Sequence, residues 1–435
     1  MATAMDAVQG CNNCVSPRRL ARALCADDAP DGQLSQRCLM RQVHFPIWFG
    51  AMATAGSPAF LVLFVLETMS RAIVVAVLPL LALKLLGDVQ AVSVLYFLVG
   101  TAGLLGSLAV PWLVGLVKRR WTLTLGLACV VASAPLLASQ TMAGLVVGLV
   151  LQLYGLATAA ICLNLYVLDH IPRKAFGRFE PLRMLFVGAG WMIGPVLGIA
   201  LGKYVAPWLP FAAAAGFALA QLGYFWFLRL TEHPLLAKLK APAPNPLRFV
   251  RRYFAQPRLA LAWLLAVGRG GWWGMFYVYV PIYAVTVGLG EEVGALILSA
   301  GSAAMFLVVF WGWLGRRYGL RRLLFWGYLV NALLTFAVGA TAGLPWLGAT
   351  LIVAAAVAAS VIDGAGNLPF MRAVRPRERA EMTTVFSTYR DMSRLAMPGV
   401  FSLVLQVFAL PAVFVTSALT MAVMAHYARY IPRRL

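Results

Sequence analysis

Glu67 and Arg71 lie one helical turn apart inside an apolar run that extends from Phe60 to Pro79. A charged side chain at the middle of a bilayer costs roughly 2.5–3.5 kcal/mol on insertion scales, so it persists where it faces protein or a water-filled space. The i, i+4 spacing puts both groups on one helix face, with the acid N-terminal to the base, the favourable order. A pair of this kind marks a path for a solute or a proton. Charges recur in other apolar runs. Arg269 sits in Gly268-Arg269-Gly270-Gly271-Trp272-Trp273-Gly274, with no acid within one turn of its own segment. Asp363 and Asn367 share a helix face, flanked by Gly364, Gly366 and Pro369, which can open the backbone. Near the end of the chain, Arg390 and Arg394 share a face and Asp391 can reach Arg394 at i, i+3. Asn164 adds an amide to another run, whereas Glu180 and Arg183 fall where a run begins and read as interfacial.

A plainer reading competes: the charges neutralise one another and hold helices together. The number of arginines favours a functional role, because packing networks within spans rarely use so many. Arg71, Arg269, Arg390 and Arg394 against Glu67, Asp363 and Asp391 leave a positive excess, which grows if Glu67 binds a proton. That balance favours an anionic or zwitterionic organic solute over a lipophilic cation. Trp272, Trp273, Tyr277, Tyr279 and Tyr283 either line a cavity or form a packed or interfacial belt, and aromatic stripes are more often the latter.

The elements that must position these groups are membrane helices. Of 435 residues, 62% are hydrophobic and 12% charged, far from the balance of a soluble domain. Twelve apolar runs are expected to span, over 59–84, 90–115, 121–140, 143–168, 180–202, 209–228, 259–287, 292–315, 321–341, 346–371, 383–408 and 410–430. Backbone in lipid must satisfy its own hydrogen bonds, so the fold class is an all-α membrane bundle. The net charge of +21 would point to nucleic acid in a soluble protein. Its distribution says otherwise. Among the 36 Lys and Arg residues, Lys84 and Lys203 fall in connections after odd-numbered spans, and Arg71, Arg183, Arg269, Arg390 and Arg394 fall within spans. The rest lie in the tails and after even-numbered spans, which by the positive-inside rule puts both termini in the cytosol. The basic balance also attracts anionic membrane lipid. Only six of those 36 are Lys, a bias that fits a bacterial protein and hence an inner membrane.

Residues 1–45 are polar and lack a signal-peptide core, so they are expected to be a disordered cytosolic tail. Cys11 and Cys14 have the spacing of half a zinc site, but Cys25 and Cys38 are scattered and no His pair follows, so no metal is expected. A polar stretch over 229–258, expected to be a cytosolic loop, divides the spans into halves at 59–228 and 259–430. Landmarks recur across it. Pro79 matches Pro281 and Arg119-Arg120 matches Arg321-Arg322; Gly87-Asp88 matches Gly290-Glu291, Asn164 matches Asn367 and Pro195 matches Pro398. A nearly constant offset in order points to internal duplication, as in transporters built from repeats. The same offset sets Glu67 against Arg269 at equal depth.

After the eighth span the chain reads Gly312-Trp-Leu-Gly315-Arg316-Arg317-Tyr-Gly319-Leu-Arg321-Arg322. This resembles the inner-loop motif of the major facilitator superfamily. The earlier copy, Val110-Pro111-Trp112-Leu-Val-Gly115-Leu-Val-Lys118-Arg119-Arg120, keeps the basic cluster but lacks the family's acid, which removes one member of the inner-gate relay. The fifth span holds Gly190-Trp-Met-Ile-Gly194-Pro195-Val-Leu-Gly198, which resembles the motif of the family's antiporters and drug exporters; close helix packing by glycines explains it equally well. Against export, Leu151 stands where exporters often place an arginine. The resemblance covers about 59–430. It implies two six-helix halves related by pseudo-symmetry, with the first, fourth, seventh and tenth helices lining a cavity. That places Glu67, Arg71, Asn164 and Arg269 toward a solute, with Arg390, Asp391 and Arg394 contributing or forming a gate. No Walker A, Gly-x-Ser-x-Gly or His-Glu-x-x-His string occurs, so enzyme chemistry and direct ATP drive are not expected. The expectation is a monomeric secondary transporter of a small organic solute, coupled to a proton gradient, most simply as export by antiport. An importer or facilitator of an organic anion, or a receptor or assembly factor that transports nothing, are the alternatives.

Overall fold

The computed structural model describes residues 57–171, 176–228, 246–341, 343–375 and 378–431, and among these there is no strand. The expected tail and the first part of the central connection lie outside the described residues. The first set of helices is α1 (Ser57–Ala72), α2 (Val77–Leu86), α3 (Val89–Ala138), α4 (Met142–His170), α5 (Phe176–Ala200) and α6 (Leu209–Phe227). Pro246–Phe254 forms α7, within the stretch expected to be a loop. The second set is α8 (Pro257–Thr286), α9 (Glu291–Ala303), α10 (Val308–Tyr318), α11 (Leu320–Ala340), α12 (Pro345–Ala365), α13 (Leu368–Ala373), α14 (Arg379–Ser387), α15 (Tyr389–Val404) and α16 (Pro411–Ala428).

Local chemistry sets where these helices begin and break. Asp88 caps α3 by accepting from the Ala91 amide at 3.2 Å, and Thr141 caps α4 through the Gly144 amide at 3.1 Å. Proline opens α6, α8, α12 and α16, where its missing N–H costs nothing. Between α1 and α2 the chain turns at 73–76, four residues ahead of Pro79, whose ring removes the donor that Val75 would need. The expected tenth span breaks at Gly366, which takes φ +51° where α12 ends. Within α3 the expected second and third spans are two helical stretches that meet at a kink, where Lys118 takes the non-helical φ 68° and ψ 154°. Gly319 occupies φ 88° and ψ 142° between α10 and α11, so the two inner-loop copies share one backbone kink, and a lysine bears it in the first.

Among the described residues, nine helices are long and apolar enough to cross a membrane, or up to ten with the bent pair Glu291–Leu307 and Phe310–Tyr318. The expected seventh and eleventh spans are helical but fall outside that count. α8 carries Arg269 among tryptophans and tyrosines, and the eleventh is interrupted at Thr388 between α14 and α15. The helices that carry Arg269, Arg390 and Arg394 are thus the ones apolarity alone overlooks.

In the first set, α3 packs on α4 and α6, and α1 on α5 and α6; in the second, α11 packs on α12 and α16, and α8 on α9, α15 and α16. The sets meet along α3 with α15, α5 with α9, and α2 with α8. Phe249, Val250 and Tyr253 turn one face of α7 onto a core with Leu259, Phe370 and Phe386, which leaves Arg251 and Arg252 outward.

Candidate functional site

Two polar clusters lie where the sets of helices face each other. In the first, Arg71 donates to Glu67 at 2.5 Å, and the same nitrogen lies 3.5 Å from the carbonyl of Leu156 on α4. Glu67 is only 8% exposed, so its charge rests on this one pairing. The Nε of Arg71 is buried with no hydrogen-bond partner. α5 holds α1 close behind the pair. A Cβ on Gly190 would lie 2.8 Å from Thr68, one on Gly194 would lie 2.4 Å from the Ala72 Cβ, and one on Gly198 would lie 1.7 Å from the Ile73 carbonyl oxygen. The glycine string therefore serves contact with α1. Pro195, buried on the same helix, lies between the last two of these contacts.

The second cluster centres on Arg269. Its Nε lies 3.5 Å from Asp363, and Nη2 donates to Asn367 and to the hydroxyl of Tyr389, each at 3.2 Å. The acid missing from its own segment is supplied by α12, and the break at Gly366 sets Asn367 beside it. Trp273 donates to the other oxygen of Asp363 at 2.8 Å. The tyrosine is shared: Arg390 donates to its hydroxyl at 3.4 Å, and both guanidiniums lie over its ring, at 5.6 and 5.8 Å.

α15 joins the clusters. Asp391 accepts from Ser107 of α3 at 3.4 Å, and no Asp391–Arg394 ion pair forms among the described residues, unlike the expected i, i+3 contact. The main chain at Arg394 packs against Gly100 of α3, yet its side chain is exposed and feels the charges of Arg71, Asp391, Arg390 and Glu67. It therefore projects into open space between the two sets. Arg390 is exposed as well. On the aromatic side, Trp191 of α5 lies 4.6 Å from Tyr277 of α8, which stacks on Trp273 at 5.6 Å. Trp272, Tyr279 and Tyr283 are buried as packing.

Asn164 is half-buried on α4 and stands apart from both clusters, with no hydrogen bond to either among the described residues. Glu180 and Arg183 pair with each other at the start of α5. Gly312 meets only Arg316 of its own helix; Gly319, Arg321 and Arg322 belong to a cleft away from the clusters. Tyr389 and Ser107 were not among the expected site residues. Tyr389 stood next to Arg390 in the sequence, but nothing local showed that it would bridge two arginines.

A family model described as the Major Facilitator Superfamily matches residues 60–398. Among solved structures, the chain is similar to the nucleoside transporter NupG, with 13% identity and a TM-score of 0.65 over 86% of this chain and 98% of that one. It is also similar to the peptide transporter POT in complex with sulfate, with 14% identity and a TM-score of 0.67 over 86% and 94% of the two chains. A POT family transporter in complex with 5-aminolevulinic acid gives 13% identity and a TM-score of 0.66 over 85% and 94%. Identities at this level carry the fold alone. No curated protein sequence matches the chain.

Proposed function

The chain belongs to the major facilitator superfamily, and from that premise we propose that it is a proton-coupled secondary transporter of an organic anion or zwitterion, working by alternating access. The carrying observation is the meeting of charges from both sets of helices, with Glu67 and Arg71 of α1 acting on Arg394 of α15. Arg390 and Arg394 are exposed and form no ion pair among the described residues, and Arg71 keeps a buried donor free. A solute carboxylate or phosphate matches these donors, because guanidinium groups bind such oxygens bidentately. The basic distribution supports a bacterial inner membrane with both termini cytosolic, and a monomer without cofactor suffices for the scheme.

Glu67 is the proposed proton carrier. While ionised it holds Arg71; protonation releases that guanidinium and raises the positive charge between the halves. Proton and anion then bind together, which supports symport. A second reading, export by antiport, rests on the α5 glycine string, whose packing on α1 has its own structural reason. The test uses the full chain in liposomes containing a pH-sensitive dye, with a panel of organic anions, zwitterions and cations. Symport moves protons in the direction of an imposed solute gradient; antiport moves them against it. Glu67→Gln should abolish solute-driven proton movement while the protein remains folded and inserted. Unchanged coupling in that variant would overturn the role of Glu67, and transport confined to cations would overturn the solute class.

A further inference from the structure

Outside the central clusters, one cleft carries positive charge with no counter-ion among the described residues. It has a volume of about 580 Å³ and is bounded by Tyr318, Gly319, Arg321, Arg322, Phe325 and Arg429. Arg321 and Arg322 stand in the first turn of α11, where the positive end of the helix dipole disfavours cations. Arg429 follows α16 and lies over the ring of Phe325 at 4.7 Å, which holds its guanidinium at the rim. Among the described residues, none of the three arginines forms an ion pair.

The internal repeat shows what is missing. Arg119, the counterpart of Arg321, pairs with Asp169 of α4. The Asn164–Asn367 offset carries Asp169 onto Arg372, so the second half has a cation where the first has its acid. No described residue supplies the counter-ion of this cleft, and an anion from outside the chain fits it. An apolar track indicates its source. Trp326, Val330, Leu333 and Phe336 run along the outer face of α11 from below Arg322, and all four are exposed, at 59%, 40%, 62% and 51%. In a membrane protein that face meets acyl chains.

We propose that this cleft binds the phosphate headgroup of an anionic phospholipid, with the acyl chains lying along the α11 track. The guanidiniums of Arg321, Arg322 and Arg429 offer forked donors to the phosphate oxygens, and basic clefts at the membrane surface select anionic headgroups in this way. Free phosphate shares the headgroup chemistry but has no use for the track.

The experiment is native mass spectrometry of the purified full chain, titrated in detergent with phosphatidylglycerol, phosphatidylcholine or inorganic phosphate. One phosphatidylglycerol should be retained at least tenfold more tightly than phosphatidylcholine. Arg321→Gln/Arg322→Gln/Arg429→Gln should erase that preference, while Arg120→Gln, which removes a surface cation in the first half, should not. If the triple variant does not fold, Arg429→Gln alone should weaken phosphatidylglycerol retention severalfold, since its guanidinium sits at the rim on a helix end. Equal retention in wild type and variant would overturn the site. Displacement of the lipid by millimolar inorganic phosphate would overturn the lipid assignment in favour of a free-anion site.

Discussion

Arg269 shows what one residue in a span demands of its surroundings. Its three partners, Asp363, Asn367 and Tyr389, come from other helices, and the charge is neutralised by an acid that is far away in sequence. Removing one member of such a buried pair costs about 3–5 kcal/mol, mostly because the other charge is left alone. Arg269→Ala should therefore destabilise the protein strongly, and adding Asp363→Asn should recover most of the loss, as coupled sites do not add. Arg269→Lys should recover less, because an ammonium cannot serve a carboxylate, an amide and a phenol from one planar fork. Thermal melts in detergent check this; equal and additive losses would refute the pairing. The Glu67–Arg71 pair was legible in sequence because its i, i+4 geometry is local. Arg269–Asp363 was not, since no local signal says which helices will face each other. Both residues were visible as buried charges, but not as partners.

Among the elements, α1 and the turn after it approach α5 closely. Ile73 turns its carbonyl toward Gly198 where α1 breaks, leaving no room for a methyl group. Gly198→Ala should push the helices apart and sharply lower the yield of folded protein, whereas Gly216→Ala on α6, with nothing within 4 Å, should be silent. Comparable yields of both variants by size-exclusion chromatography would refute the packing role. The glycine period was readable in the sequence, but the partner helix was not, because small residues state only that something comes close. α7 was misread as loop for a related reason: its apolar face is short and interrupted by arginines. Its tether is ionic. Gln256 donates to Glu378 at 3.3 Å and Arg252 pairs with the same carboxylate. Those hydrogen bonds, that of Gln256 first, hold the Glu378 carboxyl below the usual carboxylate range. A depressed folded-state pKa contributes stability above the unfolded value, lost as pH falls through the folded one. The tether should thus hold at neutral and mildly acidic pH and loosen below the ordinary carboxylate range. A spin label at Arg251→Cys should gain mobility only there, and in Glu378→Gln already at neutral pH; a label that stays immobile in Glu378→Gln would show that the apolar face alone holds α7.

For the whole molecule, the sequence was most informative where it repeated. The charge asymmetry and the offset landmarks outlined a duplicated membrane bundle, and the shared kink at Lys118 and Gly319 matches the two inner-loop copies in backbone as well. How the two sets of helices meet was hidden, because each contact pairs residues that have no relation in the pattern. Several such contacts lie toward the end of the bundle that carries the 206–208 and 287–290 connections. Lys203 pairs with Glu292 at 2.7 Å, Tyr204 bonds the same oxygen, and Ser93 meets the Tyr279 hydroxyl at 2.6 Å. Alternating access, as proposed, requires these contacts to part in the opposite state. An exposed pair such as Lys203–Glu292 contributes only modestly, because solvent screens it. When two states lie close in energy, that is enough to shift their ratio severalfold. Glu292→Lys replaces attraction with repulsion and should favour the parted state. Ser93→Cys, in a chain whose other cysteines are replaced, should then react faster with a membrane-impermeant maleimide. Combining Lys203→Glu with Glu292→Lys restores a pair of opposite sign and should slow the reaction again, though not fully, since the carboxylate bonded by Tyr204 has moved. If the labelling rate is the same in all three backgrounds, these contacts do not bias the cycle and the closure of this end rests on the apolar packing of α2 with α8 and α5 with α9.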